Sequence, residues 1–337
     1  MLICVGLIST ISLVGYGAWT ARHILEPISI YASEESEFGV YAETDQIRFY
    51  TLQLDEQDYV TQASLSIVDT HEQTLKTIHL PAETIMHLPY GFDEFKLASL
   101  YKIANLEQGK DTHSLINQTL TEYFGVPAKT IYIVKTNSES ETPFSTWLTQ
   151  PFTMFKLTFD KDWATQNLIT SQSPWNMLHL AQVLRGIPAE MTTDIDIVEY
   201  GIGSKEISKD GSPVVTSDQN KLDAYIKKSF QNIALMQEKA NIQIENSTQV
   251  TGLGGKFARI VTNMGGVVID VGNRTEISEK TQIIISKKEW ENSATVIELK
   301  RALIDCEVFV SPESSTSDIT VIIGNSYASL IEGNTSL

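Results

Sequence analysis

From Asn241 onward, strand-like and helix-like stretches alternate so regularly that this pattern constrains the fold more than any other feature of the chain. "NIQIEN" alternates as a strand, and a glycine turn leads from it into a helix over Leu253–Met264. "VVIDVG" and "QIIIS" follow as strands, then a helix over Glu289–Ile304, then the strands "EVFVS" and "DITVIIG". Period-2 and period-3.6 segments in this alternation describe a compact α/β module of about ninety residues, enough to fold alone.

The turn itself, "NSTQVTGLGGKFARIV", raises the question of nucleotide binding. Gly252, Gly254 and Gly255 stand where a phosphate-cradling loop carries glycines, and Asp270 falls close to where a ribose-binding acid would sit. The third position of a G-x-G-x-x-G fingerprint is Phe257, however, and its bulk opposes the close helix–strand packing that glycine permits. A Walker A loop fails too, with Val250 at its first glycine and Phe257 after Lys256 in place of Ser or Thr. The favoured reading is a tight turn that caps a helix and packs it on its sheet.

Upstream, Gly39–Glu43 and Ile47–Leu54 read as strands, and Ala63–Asp69 with Thr74–Pro81 as a hairpin across Thr70–Gln73. A helix over Ser114–Gly125 ends on its glycine, and Lys129–Thr136 returns as a strand. The helix over Ser173–Ile187 carries Pro174 in its first turn and places Trp175, Leu178, Ala181, Val183 and Leu184 on one face. Asp194–Tyr200 alternates as a half-buried strand. Leu222, Tyr225, Ile226, Phe230, Ile233 and Met236 mark one long amphipathic helix running directly into Asn241.

The 337 residues suffice for about two domains. The net charge of −17, with no local basic patch to offset it, argues against a nucleic-acid partner. The two cysteines, Cys4 and Cys306, form no CxxC pair, and Cys4 lies in an apolar run far from Cys306, so no disulfide is expected. None of His23, His71, His79, His87, His113 and His179 has HxxxH spacing, so no metal site is expected. Asp194 and Asp196 are most simply the wet face of a strand. No G-x-S-x-G elbow occurs, and no cofactor is implied by the residues.

Met1–Ala21 carries no charge, and Arg22 and His23 close it. That length just spans a hydrocarbon core as a helix, with Tyr16 and Trp19 placed for an interfacial belt. A cleaved signal peptide wants a basic leader and an A-x-A-like site, and neither is evident. A buried soluble helix is the third reading. The transmembrane anchor is favoured, with residues 22–38, acidic from Glu26 to Glu37, as a juxtamembrane linker. Arg22 alone would put the following chain in the cytoplasm.

Asn241–Ser329 resembles the LytR C-terminal domain: "IQIENST" its opening strand and asparagine turn, "VTGLGGKFARIVTNMGGVVIDVGN" its glycine, helix, strand and V-x-N run, "DITVIIGNSYAS" its closing strand. Gly39–Ala240 resembles a diverged LytR–CpsA–Psr domain, through "LSIVDTHEQTLKTIHLPAET", "FKLASLY" and "LINQTLTEYFGVPAKTIYIV". The implied fold is α/β throughout: a transmembrane helix at 1–21, an LCP-like α/β sandwich at 39–240, a small α/β LytR C-terminal domain at 241–330 and a tail at 331–337. The resemblance also implies a single-pass membrane protein of the bacterial cell envelope, with residues 22–337 extracytoplasmic.

Active members of that family transfer a polymer from a polyprenyl-pyrophosphate carrier to peptidoglycan or an envelope protein. Such chemistry needs cations on the leaving pyrophosphate, and an acid to help hold magnesium. Here the family's Pro-Arg-Asp-Thr is Pro81-Ala82-Glu83-Thr84, its early acid falls near Thr61 or Gln62, and its Tyr-x-Arg-x-Arg segment is absent. Between Gly39 and Ala240 the arginines are Arg48 and Arg185, at no motif position. Glu83 and the retained Lys96 are the candidate catalytic residues. The favoured function is a non-catalytic envelope protein that binds a polyprenyl-phosphate lipid or cell-wall glycan, or serves as a scaffold. The alternative is an active, magnesium-dependent phosphotransferase.

Overall fold

The structure, a computed structural model, describes residues 25, 26, 28, 46–88, 94–106, 112–128, 130–135, 142–303, 305–311 and 317–332. The anchor expected at Met1–Ala21, the strand expected at Gly39–Glu43, and the tail from 333 lie outside these residues. Among the described residues no helix is long and apolar enough to cross a membrane. The fold is mixed α/β and divides into two compact units, Met1–Thr77 with Thr130–Asp194, and Ile78–Lys129 with Ile195–Leu337.

The first unit is built on a mixed sheet. Its strands run in the order Leu168–Ile169, Thr130–Lys135, Gln46–Leu54, Val60–Asp69, Thr74–Pro81, Thr192–Asp196, the unit boundary falling within the last two. The expected hairpin is present. Gln46–Leu54 pairs antiparallel with Val60–Asp69 and parallel with Thr130–Lys135, so Phe49, Thr51 and Tyr132 share one face. Short helices cover that face, and Phe49, Tyr132 and Phe144 meet there with ring centroids 4.7–5.7 Å apart. Ile28, read from the sequence as linker, is buried in the same core.

The helix Pro174–Arg185 is capped by the Ser173 hydroxyl, which accepts from the Asn176 N–H at 3.2 Å. Its buried face is Met177, Leu180, Ala181 and Leu184, an i, i+3, i+4, i+7 stripe. Trp175, expected on that face, sits about 200° around the helix from Met177 and is exposed. Leu178 and Val183 flank the stripe, half-buried.

In the second unit, the strand expected over Asp194–Tyr200 stops at Asp196. The Asp196 carboxylate accepts from the N–H groups of Val198 (2.7 Å) and Glu199 (3.2 Å) and closes a turn. The single long helix expected over Leu222–Met236 is two, Gln219–Ser229 and Ile233–Glu238. Asn232 caps the second, accepting from the Ala234 N–H at 2.9 Å. The break shifts the buried face: Leu222, Ile226, Phe230 and Leu235 are buried, while Ile233 and Met236 are exposed.

The C-terminal module has a five-stranded sheet in the order Val267–Asn273, Asn241–Asn246, Ile319–Ile323, Thr281–Ile285, Cys306–Val310. Asn241–Asn246 is parallel to both neighbours, and one antiparallel pairing joins Ile319–Ile323 to Thr281–Ile285. The helix expected over Glu289–Ile304 begins only at Ala294, after a 3-10 turn at Lys288–Asn292. Its start is set from afar: the Glu238 carboxylate accepts from the N–H groups of Ala294 and Thr295, both at 2.8 Å. A last helix, Asn325–Glu332, follows the closing strand and was absent from the sequence reading.

Candidate functional site

The glycine turn is closed on itself. Asn246, at the end of its strand, donates to the Val250 carbonyl at 2.8 Å and accepts from the Thr248 hydroxyl at 2.8 Å. Gly252 holds φ +82° at the cap of the helix Leu253–Asn263, a conformation that disfavours a side chain. Gly254 is helical, and its demand is space: a Cβ there would lie 3.2 Å from Val271 Cγ1. Phe257 is fully buried and meets Tyr327 edge-on at 5.5 Å. The second and third positions of the fingerprint, Gly254 and Phe257, are thus used to pack the helix onto its sheet and core.

Glu83 and Lys96 occupy neighbouring parts of the second unit, but their surroundings do not form a cation cluster. Glu83 lies in the turn after Pro81, where its backbone carbonyl accepts from the Val215 N–H at 2.9 Å. Among the described residues its carboxylate makes no ion pair. Lys96 pairs opposite Ile85 in a short hairpin and donates to the Ser212 hydroxyl at 2.7 Å. That hydroxyl donates to Asp210 at 2.7 Å. The Ser212 backbone N–H and hydroxyl hold the Asp210 carboxyl below its ordinary value, with Lys96 adding its charge. In the first unit, Arg48 is buried and donates to Gln46, while Arg185 donates to the Thr149 carbonyl at 2.6 and 3.1 Å. No group of three or more metal-ligating side chains occurs among the described residues.

A cavity of about 220 Å³ lies elsewhere in the second unit, against the helix Thr112–Phe124. Pro127, Ala128, Ile260, Ala302 and Ile331 make its apolar wall, and Tyr327 borders it. Burial raises the Tyr327 phenol above its ordinary value, and the Glu122 carboxylate adds to the effect. Lys256, Arg259 and Arg301 also line the cavity, and each is already matched to a carboxylate. Lys256 is 2.6 Å from Glu122, and Arg301 is 2.8 Å from Glu298.

Arg259 is the most heavily used. Its Nε donates to both Asp223 oxygens at 3.0 and 2.8 Å, and its terminal nitrogens donate to the carbonyls of Glu122 (2.5 Å) and Tyr123 (2.9 Å). Those carbonyls end the helix Thr112–Phe124, where a cation is favoured. Gly125 follows at φ +65°, and a Cβ there would lie 2.4 Å from Asn263 Nδ2. Burial pushes the Asp223 carboxyl up, but hydrogen bonds from Arg259 and Asn263 and the Arg259 charge outweigh it, leaving the group below its ordinary value.

The family model LytR_C, described as LytR cell envelope-related transcriptional attenuator, matches residues 239–327. Those residues are a LytR C-terminal domain. The resemblance read from the glycine turn and its flanking strands is borne out. No curated protein matches the chain. Among solved structures it is similar to TagV of B. subtilis, at 12% identity over 54% of this chain and 94% of that one, with a TM-score of 0.39. It is also similar to TagT bound to LIIa-WTA, at 16% identity over 58% and 92%, with a TM-score of 0.39. A third is the LytR-CPS2A-psr family protein YwtF (TagT) with bound octaprenyl pyrophosphate lipid, at 14% identity over 58% and 92%, with a TM-score of 0.36.

The first helix of the LytR C-terminal domain thus supplies Lys256, Arg259 and Ile260 to the cavity wall. Arg259 and Asp223 were missed in the sequence because they lie 36 residues apart on helices of ordinary amphipathic pattern. The one available signal was Gly125, whose place after a helix marks a close approach without naming what approaches.

Proposed function

We propose that the chain is a LytR–CpsA–Psr-type envelope protein, anchored through Met1–Ala21 with residues 22–337 outside the membrane. In this reading it holds a polyprenyl-phosphate lipid or a wall glycan without transferring it. The LytR C-terminal domain and the family-like segments before it support the envelope assignment. One observation carries the non-catalytic part: Lys96, the one cation the resemblance retains, is hydrogen-bonded to Ser212 beside Asp210. A departing pyrophosphate needs several converging positive charges, and one lysine already facing a carboxylate is a poor clamp.

Loss of one well-placed donor from such a site typically costs about 10²–10³ in rate, and joint losses leave little chemistry even when not additive. The apolar wall of the cavity offers a place for a short stretch of isoprenoid chain. Its volume is below the roughly 300–1,000 Å³ of ordinary ligand pockets, too small for a whole carrier. The test incubates the full chain with labelled lipid-pyrophosphate glycan and peptidoglycan acceptor, with and without magnesium. Binding without turnover is expected. Turnover that disappears in Glu83→Gln or Lys96→Met would overturn the reading in favour of an active phosphotransferase.

A further inference from the structure

The first unit carries an aromatic surface that its own core does not use. Phe152, Phe155 and Phe159 lie along one side of the helix Pro151–Phe159 and are 65%, 60% and 51% exposed. The rings of Phe155 and Phe159 are 5.1 Å apart, and Phe152 meets Trp163 edge-on at 6.5 Å. Trp175, at the start of the helix Pro174–Arg185, is 56% exposed. Exposed aromatic groups on this scale mark a contact surface.

The preceding chain indicates what the contact is. The Ile28 N–H donates to the Gln172 carbonyl at 3.0 Å, three residues before Trp175. Glu26 lies 3.9 Å from Lys161, two residues after Phe159. The chain therefore passes Lys161 and Gln172 as it enters this unit, close in sequence to Phe159 and Trp175. Five residues upstream of Glu26 the uncharged run ends at Ala21, at most about 18 Å of extended chain away.

We infer that Phe152, Phe155, Phe159 and Trp175 rest on the lipid bilayer at the level of its headgroups, an inference that builds on the anchor proposed above. Aromatic rings favour that interface because they are apolar bodies that tolerate a wet, polar boundary. Lys156, 5.7 Å above the Phe152 ring, is paired with Asp160 at 2.8 Å, and Lys161 lies 3.9 Å from Glu26, so the cations beside the rings are matched to carboxylates and the rings themselves carry the contact. A second copy of this chain is the less favoured occupant, since each copy would bring a net charge of −17.

The experiment reconstitutes the full chain in phosphatidylcholine vesicles with brominated acyl chains, which quench nearby tryptophans. Wild type is compared with Trp19→Phe, Trp175→Phe and Trp290→Phe. Quenched emission should be lost in Trp19→Phe and Trp175→Phe and unchanged in Trp290→Phe. Replacing Phe155 and Phe159 together by serine should weaken the quenching of Trp175 while leaving the melting temperature in detergent in place. Quenching of Trp19 without Trp175 would overturn the inference and leave the anchor standing. Quenching of Trp175 without Trp19 would keep the surface and remove the anchor. Trp175 shielding that needs no brominated lipid and grows with protein concentration would assign the surface to self-association and overturn the inference.

Discussion

Replacing Arg259 with alanine is the most informative single change for the second unit. The guanidinium bridges a carboxylate on one helix and two carbonyls at the end of another, from a third helix inside the LytR C-terminal domain. Removing one partner of a fully buried ion pair costs about 3–5 kcal/mol, because the other charge is left without compensation. Arg259 and Asp223 side chains are 22% and 17% exposed, so water relieves part of that loss. Asn263 and Gln219 also still donate to Asp223, at 3.0 and 3.3 Å. The expected cost is therefore at the low end, about 3 kcal/mol, or a fall in melting temperature of about 6–12 °C for a unit of this size. Urea unfolding followed through Trp290 emission measures it, and a double-mutant cycle with Asp223→Ala should show coupling above about 1 kcal/mol. The Asp223 carboxyl is held below its ordinary value, so its stabilisation is fully present above the unfolded carboxyl pKa. It is lost as pH falls through the lower, folded value. Asp223→Ala should flatten that acid limb. An Arg259→Ala variant within about 0.5 kcal/mol of wild type would refute the argument.

Gly254→Val should cost about 1–3 kcal/mol by crowding Val271, measured by chemical denaturation, and NAD or ATP should leave the melting temperature of wild type unchanged. A saturable nucleotide shift would restore the phosphate-loop reading of the turn. Leu180→Ala, in the core of the first unit, should cost about 2–5 kcal/mol, whereas Trp175→Ala in detergent should change stability by less than about 1 kcal/mol. Equal effects would show that the buried stripe of this helix has been assigned to the wrong side. Protease added to intact cells should digest a C-terminal tag, and protection of the tag would remove the extracytoplasmic placement.

The regular elements of the C-terminal module were legible in the sequence because each strand and helix there carries its own apolar period. The glycine turn could be judged structural because Phe257 stands where a dinucleotide fingerprint needs its third glycine for close helix–strand packing. Its strain was harder to place. Gly252 carries the positive φ, while Gly254 is constrained by Val271, a strand residue seventeen positions later. Where elements stop was decided by distant partners. The helix at Ala294 starts where Glu238 caps it, and the break at Asn232 separates two helices that hydropathy alone joins into one. Trp175 shows the same limit for burial. Apolar character placed it in a helical face, but packing against the helices Phe144–Thr149 and Pro151–Phe159 selected the stripe centred on Leu180. Candidate Lys96 was identified from its motif, yet only the fold placed Ser212 and Asp210 against it. The pairing of Arg259 with Asp223 was not legible beyond the hint at Gly125, because periodicity reports which side of a helix is apolar and says nothing of which other helix its polar side will meet. Local pattern determines elements through near-neighbour burial; charge pairing and helix ends depend on residues brought together across the chain, and these only the tertiary structure decides.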